Sequence, residues 1–551
     1  MISQRKLLIV ANGLREQTGH YFETSVALAE AARRAGCQCV LGAHAECPPD
    51  LLPPWLDNHR FFRTDHWMRE AVAAPCNETV EGQPSASGDA ECGAALPLGP
   101  SSIARPSARQ TAVGAARLAK LATRYAMPPL AYDAARVFVR YCLPRTVRGS
   151  QRRQARQDLQ TAASRWKYGR DAELAQQAAH WPAIAAALDD ARLRPRLLDA
   201  LRRLSPLGLL AELEYALLFR QDLDRFLKAA DPGPDDHVLL TTSHARELLA
   251  VHLIAEQFGL DASPTFHLEF RHPLFEGETN AHCWERSPGA VMQRAFLLLH
   301  AEWGTSQNVR FYTDAEALAR DYESISGLRF DVLPLPFRSE LIPESTRHAD
   351  SPLTIAYLGG ARDEKGFPWL PNLIATLRQQ NDAGRVRFLI QANISAPEHN
   401  PHSVAALERL RTLGGDDLEF VALEEGLPPD DYYRLFARAD VVLLPYLPER
   451  YRACTSGVLA EALAAGVPAV VPKGTWLSSQ LPNAVGETFE GYESFVEAVQ
   501  RVIDGYPTYR AAAQACRPAW LMRHTPDAVV AAVLAAGKTK RKPESAVELP
   551  R

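Results

Sequence analysis

Residues 454–468 read Cys454-Thr455-Ser456-Gly457-Val458-Leu459-Ala460-Glu461-Ala462-Leu463-Ala464-Ala465-Gly466-Val467-Pro468. Ser456 is a good N-cap, residues 458–465 are strong helix formers, and Gly466 with Pro468 stops the helix. The free N–H groups and the dipole at such an N-terminus form an anion site, and Gly457 lets a phosphate come close to the backbone. Glu461 follows Gly457 by four residues on the same helix face, one turn below that site. A carboxylate there repels phosphate but can accept both hydroxyls of a ribose. Taken alone, the segment also fits a capped core helix with an incidental glutamate.

A second segment lies upstream, Gly359-Gly360-Ala361-Arg362-Asp363-Glu364-Lys365-Gly366-Phe367, directly after an apolar strand ending at Leu358. Two glycines at a strand's carboxyl end, followed by two cations three residues apart, put a diphosphate within reach of Arg362 and Lys365. Pro368, then apolar Leu370, Leu373, Ile374 and Leu377, predict a helix after the loop. Pairing of Arg362 and Lys365 with Asp363 and Glu364 on a solvated loop is the bland alternative.

Outward from these segments the chain alternates strands and helices. Strands are predicted at residues 353–358, 386–391, 418–422, 441–445 and 469–472 in the second half. In the first half they fall at 7–11, 38–44, 237–242, 265–270, 309–313 and 329–333, with helices at 21–34, 246–257 and 315–322. This order implies parallel sheets covered on both faces, which bind ligands at the carboxyl ends of their strands. The fold class is therefore α/β, with two Rossmann-like domains facing a cleft and a helical insertion in the first. The expected divisions are a first part of the N-terminal domain (1–75), a flexible Pro/Ser/Gly-rich linker (76–110), a basic helical insertion (111–230) and the rest of the N-terminal domain (231–345). A C-terminal domain (346–510), C-terminal helices (511–537) that cross back to the first domain and a disordered tail (538–551) complete the chain.

Composition sets outer limits. The 551 residues are 46% hydrophobic and 23% charged with a net charge of −4, as in a soluble globular chain. No apolar run reaches the ~18–20 residues of a membrane span, and residues 7–10 are too short a run for a signal-peptide core. Nine cysteines without CxxC spacing argue against a disulfide framework or zinc cage and favour a reducing cytoplasm. The charge is uneven: Arg105 to Arg170 holds fifteen Lys/Arg against Asp133 and Asp158, a local +13 opposed by −17 elsewhere. Within it Val137, Phe138, Val139 and Tyr141 stand among arginines, a pattern suited to an anionic membrane surface. A helical insertion packed on the first domain, its arginines in water, is the competing account. No nucleic-acid module signature accompanies these arginines, so no nucleic-acid partner is expected.

In order and spacing, "YLGGARDEKGF", "LEEGLPPDDYYRLFARADVVLLPY" and "YRACTSGVLAEALAAGVPAVVP" resemble the C-terminal domain of GT-B glycosyltransferases, closely family 4 (group 1). The amino-terminal "LLIVANGLREQTGHYFETSVALAEAARRAG" is similar, more loosely, to the family's first βαβ unit. The resemblance implies a metal-independent, retaining transferase with no cofactor, moving a sugar from a nucleotide diphosphate sugar to a saccharide or lipid-linked acceptor in cell-surface polysaccharide biosynthesis. The cysteine usage implies a cytoplasmic protein, and the basic stretch a peripheral place at the inner membrane face. By position, Arg362 and Lys365 hold the diphosphate, with Gly360 beside them. Thr455, Ser456 and Gly457 supply backbone donors, Glu461 accepts the ribose, and the loop beginning at Leu423 faces the base. Gly19 and His20 approach the sugar from the other domain. The family's second glutamate, eight residues before Glu461, is replaced by Ala453, with Glu449 as a nearby substitute. A non-catalytic GT-B-shaped scaffold that binds nucleotide sugar or polysaccharide is the alternative class, and Ala453 is its best support.

Three weaker constellations complete the reading. His267, Glu269 and Arg271 alternate on one face of a predicted strand and are candidates for binding the acceptor. Asp222-Leu223-Asp224 matches a short metal motif but falls in a helical pattern, and is expected to be a solvated helix face. His244, Glu247 and His252 lack metalloprotease spacing and are expected at the surface.

Overall fold

The computed structural model describes residues 5–16, 20–64, 180–204, 210–255, 257–258, 263–274, 288–300, 308–342, 351–394, 396–422, 427–482 and 484–536. The chain forms two compact units, Met1–Met68 with Glu212–Arg551, and Arg69–Ala211. The linker at 76–110, the basic stretch at 105–170 and the tail at 538–551 lie outside the described residues.

The first sheet opens with β1 (Lys6–Ala11), α1 (His20–Arg34), β2 (Gln38–His44) and β3 (Asp57–Phe62). In the second unit, α2 (Pro182–Leu188) and α3 (Arg194–Leu204) pack together, with Ile184, Leu188, Leu197 and Leu201 buried. Helix α4 (Leu210–Ala230) leads back to β4 (His237–Leu240), α5 (Ala245–Ala255) and β5 (Thr265–Phe270). Then come α6 (Pro288–Leu298), β6 (Val309–Thr313), α7 (Glu316–Ser326) and β7 (Asp331–Val332). The strands lie in the order β3-β2-β1-β4-β5-β6-β7 and every pair is parallel. The order turns back on itself at β1, and ligand crevices of open α/β sheets lie at such switch points.

The second sheet holds β8 (Leu353–Tyr357), α8 (Leu370–Gln380), β9 (Val386–Gln391), α9 (Pro401–Leu413), β10 (Leu418–Val421) and α10 (Pro429–Arg438). After these run β11 (Val441–Leu443), α11 (Pro448–Tyr451), α12 (Gly457–Ala465), β12 (Ala469–Pro472), α13 (Trp476–Gln480) and β13 (Gly486–Phe489). Its order is β10-β9-β8-β11-β12-β13, again all parallel. A core of Ile355, Tyr357, Phe367, Phe388, Val441 and Val499 fills the space under the covering helices. The buried Asp440 carboxylate accepts the Thr354 N–H at 2.9 Å and the Tyr506 hydroxyl at 2.6 Å, pinning β8 beside β11.

Three helices close the chain, α14 (Gly491–Asp504), α15 (Tyr506–Arg523) and α16 (Pro526–Ala535). Helix α15 lies on α12, where Trp520 Nε1 donates to the Ala460 carbonyl at 3.0 Å and Arg517 Nε to that of Ala464 at 2.7 Å. Helix α16 then packs on α1 in the other sheet's core, with Arg34 gripping Asp527 through Nε at 2.9 Å and Nη2 at 2.7 Å. The last helix thus completes the first domain.

Two expectations about the first domain need correction. Asp222 is fully buried and takes the Arg63 backbone N–H and Nε, each at 2.9 Å, so it fastens α4 to the end of β3. Glu247 and His252 are 2% and 3% exposed, inside a helix α5 buried along its whole length. Glu247 accepts the His244 N–H at 2.8 Å and works as an N-terminal helix cap.

One glycine fixes the path between β8 and α8. Gly366 has φ +70°, and a Cβ there would stand 1.9 Å from the Pro445 carbonyl oxygen. Gly366→Ala therefore combines left-handed strain with a backbone clash and should cost about 2–4 kcal/mol of stability. Urea unfolding measures it, and an unchanged midpoint would contradict the close approach.

Candidate functional site

The loop after β8 is tied down at several points. The Gly359 N–H donates to Gln391 Oε1 at 2.7 Å and the Ala361 N–H to the Asn393 carbonyl at 2.9 Å. Asp363 accepts the Ser403 N–H at 2.7 Å and its hydroxyl at 2.6 Å, anchoring the loop to the first turn of α9. Asp363 thus serves the fold and does not neutralise its cationic neighbours. A short 3₁₀ turn at Phe367–Trp369 precedes α8, so Pro368 opens that turn and not the α-helix itself.

Gly359, with φ +93°, brings this loop against α12: a Cβ there would lie 3.1 Å from Val458 Cγ2 and 3.4 Å from Lys365 Nζ. The two glycine-bearing segments, almost a hundred residues apart, therefore meet. Lys365 Nζ lies 5.6 Å from the Tyr446 ring centroid, within cation–π reach. Burial pushes its pKa down to about 8, helped by the nearby Arg362 charge, while Glu364 and Glu461 act the other way. Arg362 is exposed and stands 3.6 Å from Glu364, a weak pairing that an anion can displace.

Helix α12 begins as the composition of its first turn dictates. Ser456 Oγ accepts the Leu459 N–H at 3.3 Å, while the N–H groups of Gly457 and Val458 have no acceptor within the helix. Glu461 Oε2 receives the Tyr432 hydroxyl at 2.7 Å, and Oε1 lies 4.0 Å from where a Gly457 Cβ would be. Burial pushes the Glu461 pKa up to about 7, against the hydrogen bond from Tyr432 and the charge of Lys365. A cation, a helix N-terminus and a carboxylate thus converge on one side of the second sheet. That set can take a diphosphate with a vicinal diol one turn away.

Residues from the first domain reach the same helix start. Thr455 Oγ1 donates to Asp314 Oδ2 at 2.7 Å. Asp314 is 6% exposed, its pKa is raised by burial, and its Oδ1 is buried with no hydrogen-bond partner among the described residues. Arg271 holds Glu269 through contacts of 2.9 and 3.0 Å, and its charge acts on Asp314 as well. Burial pushes the Glu269 pKa up to about 7. Glu269, Arg271, Asp314 and Thr455 therefore form one polar row at the ends of β5 and β6, its two carboxylates buried and Arg271 and Thr455 half-buried. Arg452 also pairs with Asp321 of α7.

Of the candidate residues, Gly360, Arg362, Lys365, Thr455, Ser456, Gly457 and Glu461 are brought together. His267 is not with them: it is fully buried, between His237 Nδ1 at 2.9 Å and the Tyr312 hydroxyl at 3.1 Å, and burial drives its pKa well below the usual range. It is a core histidine with both ring nitrogens in use. Gly19, the side chain of His20 and Leu423 lie outside the described residues. Ala453 is 2% exposed, and Glu449 is exposed on α11. Tyr432 and Asp314 escaped the sequence reading, because nothing in an amphipathic helix or a strand-end Thr-Asp pair marks a cross-element hydrogen bond. Among the described residues no helix is long and apolar enough to cross a membrane.

Residues 352–505 match the family model described as glycosyl transferases group 1. Among solved structures, sucrose-phosphate synthase from Thermosynechococcus elongatus is similar at 12% identity and TM-score 0.52, over 96% of this chain and 97% of that one. A glycosyltransferase from Rickettsia africae ESF-5 is similar at 8% identity and TM-score 0.50, over 97% and 98%. Anabaena Alr3699/HepE, solved with UDP and glucose, aligns at 13% identity over 57% of this chain and 81% of that one, with TM-score 0.42, too low to bear on this chain. No curated protein matches by sequence. The chain has the GT-B fold of two Rossmann-like domains and resembles the group 1 glycosyltransferases. The family match over residues 352–505 supports sugar transfer.

Thr455→Val removes the hydroxyl that satisfies the buried Asp314 carboxylate and should lower stability by about 1–3 kcal/mol, the cost of an orphaned buried acceptor. Chemical denaturation checks it, and a neutral outcome would mean that water replaces the hydroxyl.

Proposed function

We propose that this protein transfers a sugar from a nucleotide diphosphate sugar to a saccharide or lipid-linked saccharide acceptor, in cell-surface polysaccharide biosynthesis. The observation that carries the reading is the meeting of Lys365, the α12 N-terminus and Glu461 across the contact between Gly359 and Val458. Lys365 and Arg362 hold the diphosphate, the Gly457 and Val458 N–H groups bind its oxygens, and Glu461 accepts the ribose hydroxyls. When the glycosidic bond breaks, charge grows on the departing diphosphate, and these groups are already aimed at it. Fixed cations and a helix dipole lower the barrier without reorganising. This charge set supports a metal-independent reaction that uses no cofactor.

The Lys365 pKa near 8 fits the role. An approaching diphosphate returns the charge partner that burial denies the lysine, so binding favours the protonated form. On the acceptor side, the carboxylates and Arg271 at the ends of β5 and β6 offer hydroxyl-binding groups, with Gly19 and His20 assigned to the sugar. The loop at Leu423 is assigned to the base. We assign residues 105–170 to an anionic membrane surface at the inner face, where near-surface basic residues contribute ~1 kcal/mol each. Retention of anomeric configuration is the outcome we assign by family resemblance, with the Ala453 position served by another group.

Ala453 in place of a glutamate favours the second reading, a scaffold that binds without turnover. Released nucleoside diphosphate, measured over a panel of nucleotide sugars with and without membrane extract, separates the two. Turnover dependent on the extract supports a lipid-linked acceptor, and binding with no turnover supports the scaffold. Lys365→Ala should weaken nucleoside diphosphate binding by ~1.5–3 kcal/mol, the scale of a charge-assisted hydrogen bond, or roughly ten- to hundredfold by calorimetry. Unchanged affinity would remove Lys365 from the site.

A further inference from the structure

Tyr432 belongs to neither glycine-bearing loop. It stands on the inner face of α10, half-buried, with its ring edge-on to Phe436 at 5.4 Å and to Tyr433 at 5.6 Å. These contacts hold the ring, and its hydroxyl reaches Glu461 Oε2 at 2.7 Å. Glutamate has three rotatable side-chain bonds, and a carboxylate beside a helix N-terminus is drawn onto its free N–H groups unless something else holds it. Here one oxygen is committed to the phenol and the other, Oε1, is turned toward the α12 N-terminus at Gly457.

We propose that Tyr432 is a positioning residue for the ribose: its hydroxyl holds the Glu461 carboxylate so that Oε1 and the remaining lone pairs face the nucleotide's vicinal hydroxyls. The proposal rests on the reading of Glu461 as the ribose acceptor. Chemically it requires an ionised carboxylate, because a protonated one offers a donor where the diol needs an acceptor. The groups facing Glu461 are Lys365 from the loop after β8, Tyr446 from beyond β11, and Tyr432 and Tyr433 from α10. Burial raises the Glu461 pKa to about 7, and the Tyr432 hydrogen bond opposes that rise. Removing the hydroxyl takes away a stabilising bond to the charged form, so the pKa climbs further. Affinity for a ribose-bearing ligand is lost as pH falls through this pKa, and the variant loses it at a higher pH.

The test uses the full chain and calorimetry with whichever of UDP, GDP and ADP binds best, beside its 2′,3′-dideoxy analogue. Both ligands carry the same diphosphate, so the titration of Lys365 and of phosphate cancels between them. Tyr432→Phe should weaken the ribose ligand three- to tenfold at pH 7, move the acid-side midpoint of its binding to higher pH, and leave the dideoxy ligand unaffected. Against a Glu461→Gln background, which cannot titrate, Tyr432→Phe should cause no further loss. Equal loss for both ligands, or an unmoved midpoint, overturns the role of Tyr432 alone. Equal wild-type affinity for the two ligands overturns the ribose role of Glu461, and the proposal with it.

Discussion

The contact between the loop after β8 and the first turn of α12 is the constraint from which the site follows. It needs two glycines in left-handed backbone, Gly359 against Val458 and Gly366 against Pro445. Any side chain at Gly366 would push the loop off the β11 end, and the turn carrying Lys365 would move with it. Because β8 and β11 are neighbours in the sheet, the loops leaving their carboxyl ends share one crevice. Parallel pairing thus delivers both segments to one edge, and the glycines let them touch.

That touch takes two ionisable groups out of water. Lys365 and Glu461 are both desolvated, and both shift toward neutrality, the lysine to about 8 and the glutamate to about 7. Burial that weakens a cation and a carboxylate in one crevice is a mark of a functional site. In the proposed donor site a diphosphate supplies the counter-charge for the lysine and the helix N-terminus. The glutamate, one turn down and tied to Tyr432, is spared the repulsion by distance and meets hydroxyls instead.

The central strands were legible because parallel strands buried on both faces are continuous apolar runs, as in "LLIV" and "VVLL". Two of the edges were not: β3 (DNHRFF) and β13 (GETF) are partly exposed and carry polar residues, so no run announces them. The site's cation loop and capped helix were legible for a similar reason, since glycine, proline and N-cap residues leave local marks. Buried polar groups leave none. The His267, Glu269 and Arg271 alternation put two residues in β5 and one just past its end, yet periodicity cannot tell a wet face from one roofed by other polar groups. His267 lies deep in that row, under Tyr312, while Glu269 and Arg271 reach the strand end.

The same row explains how the first domain bears on the donor site. The Arg271 charge acts on two carboxylates, Glu269 and Asp314, whose pKa values burial raises, and Asp314 in turn accepts the hydroxyl of Thr455. Thr455 immediately precedes the N-cap of α12, so the position of the helix start is coupled to the ends of β5 and β6. A buried carboxylate with one oxygen satisfied and the other open is a junction of high stakes, because a shift of either domain leaves it short of a partner. Arg452 with Asp321 repeats the linkage from the other side of Ala453. The segment around Ala453 is thus clasped on both flanks by the first domain, Thr455 by Asp314 and Arg452 by Asp321.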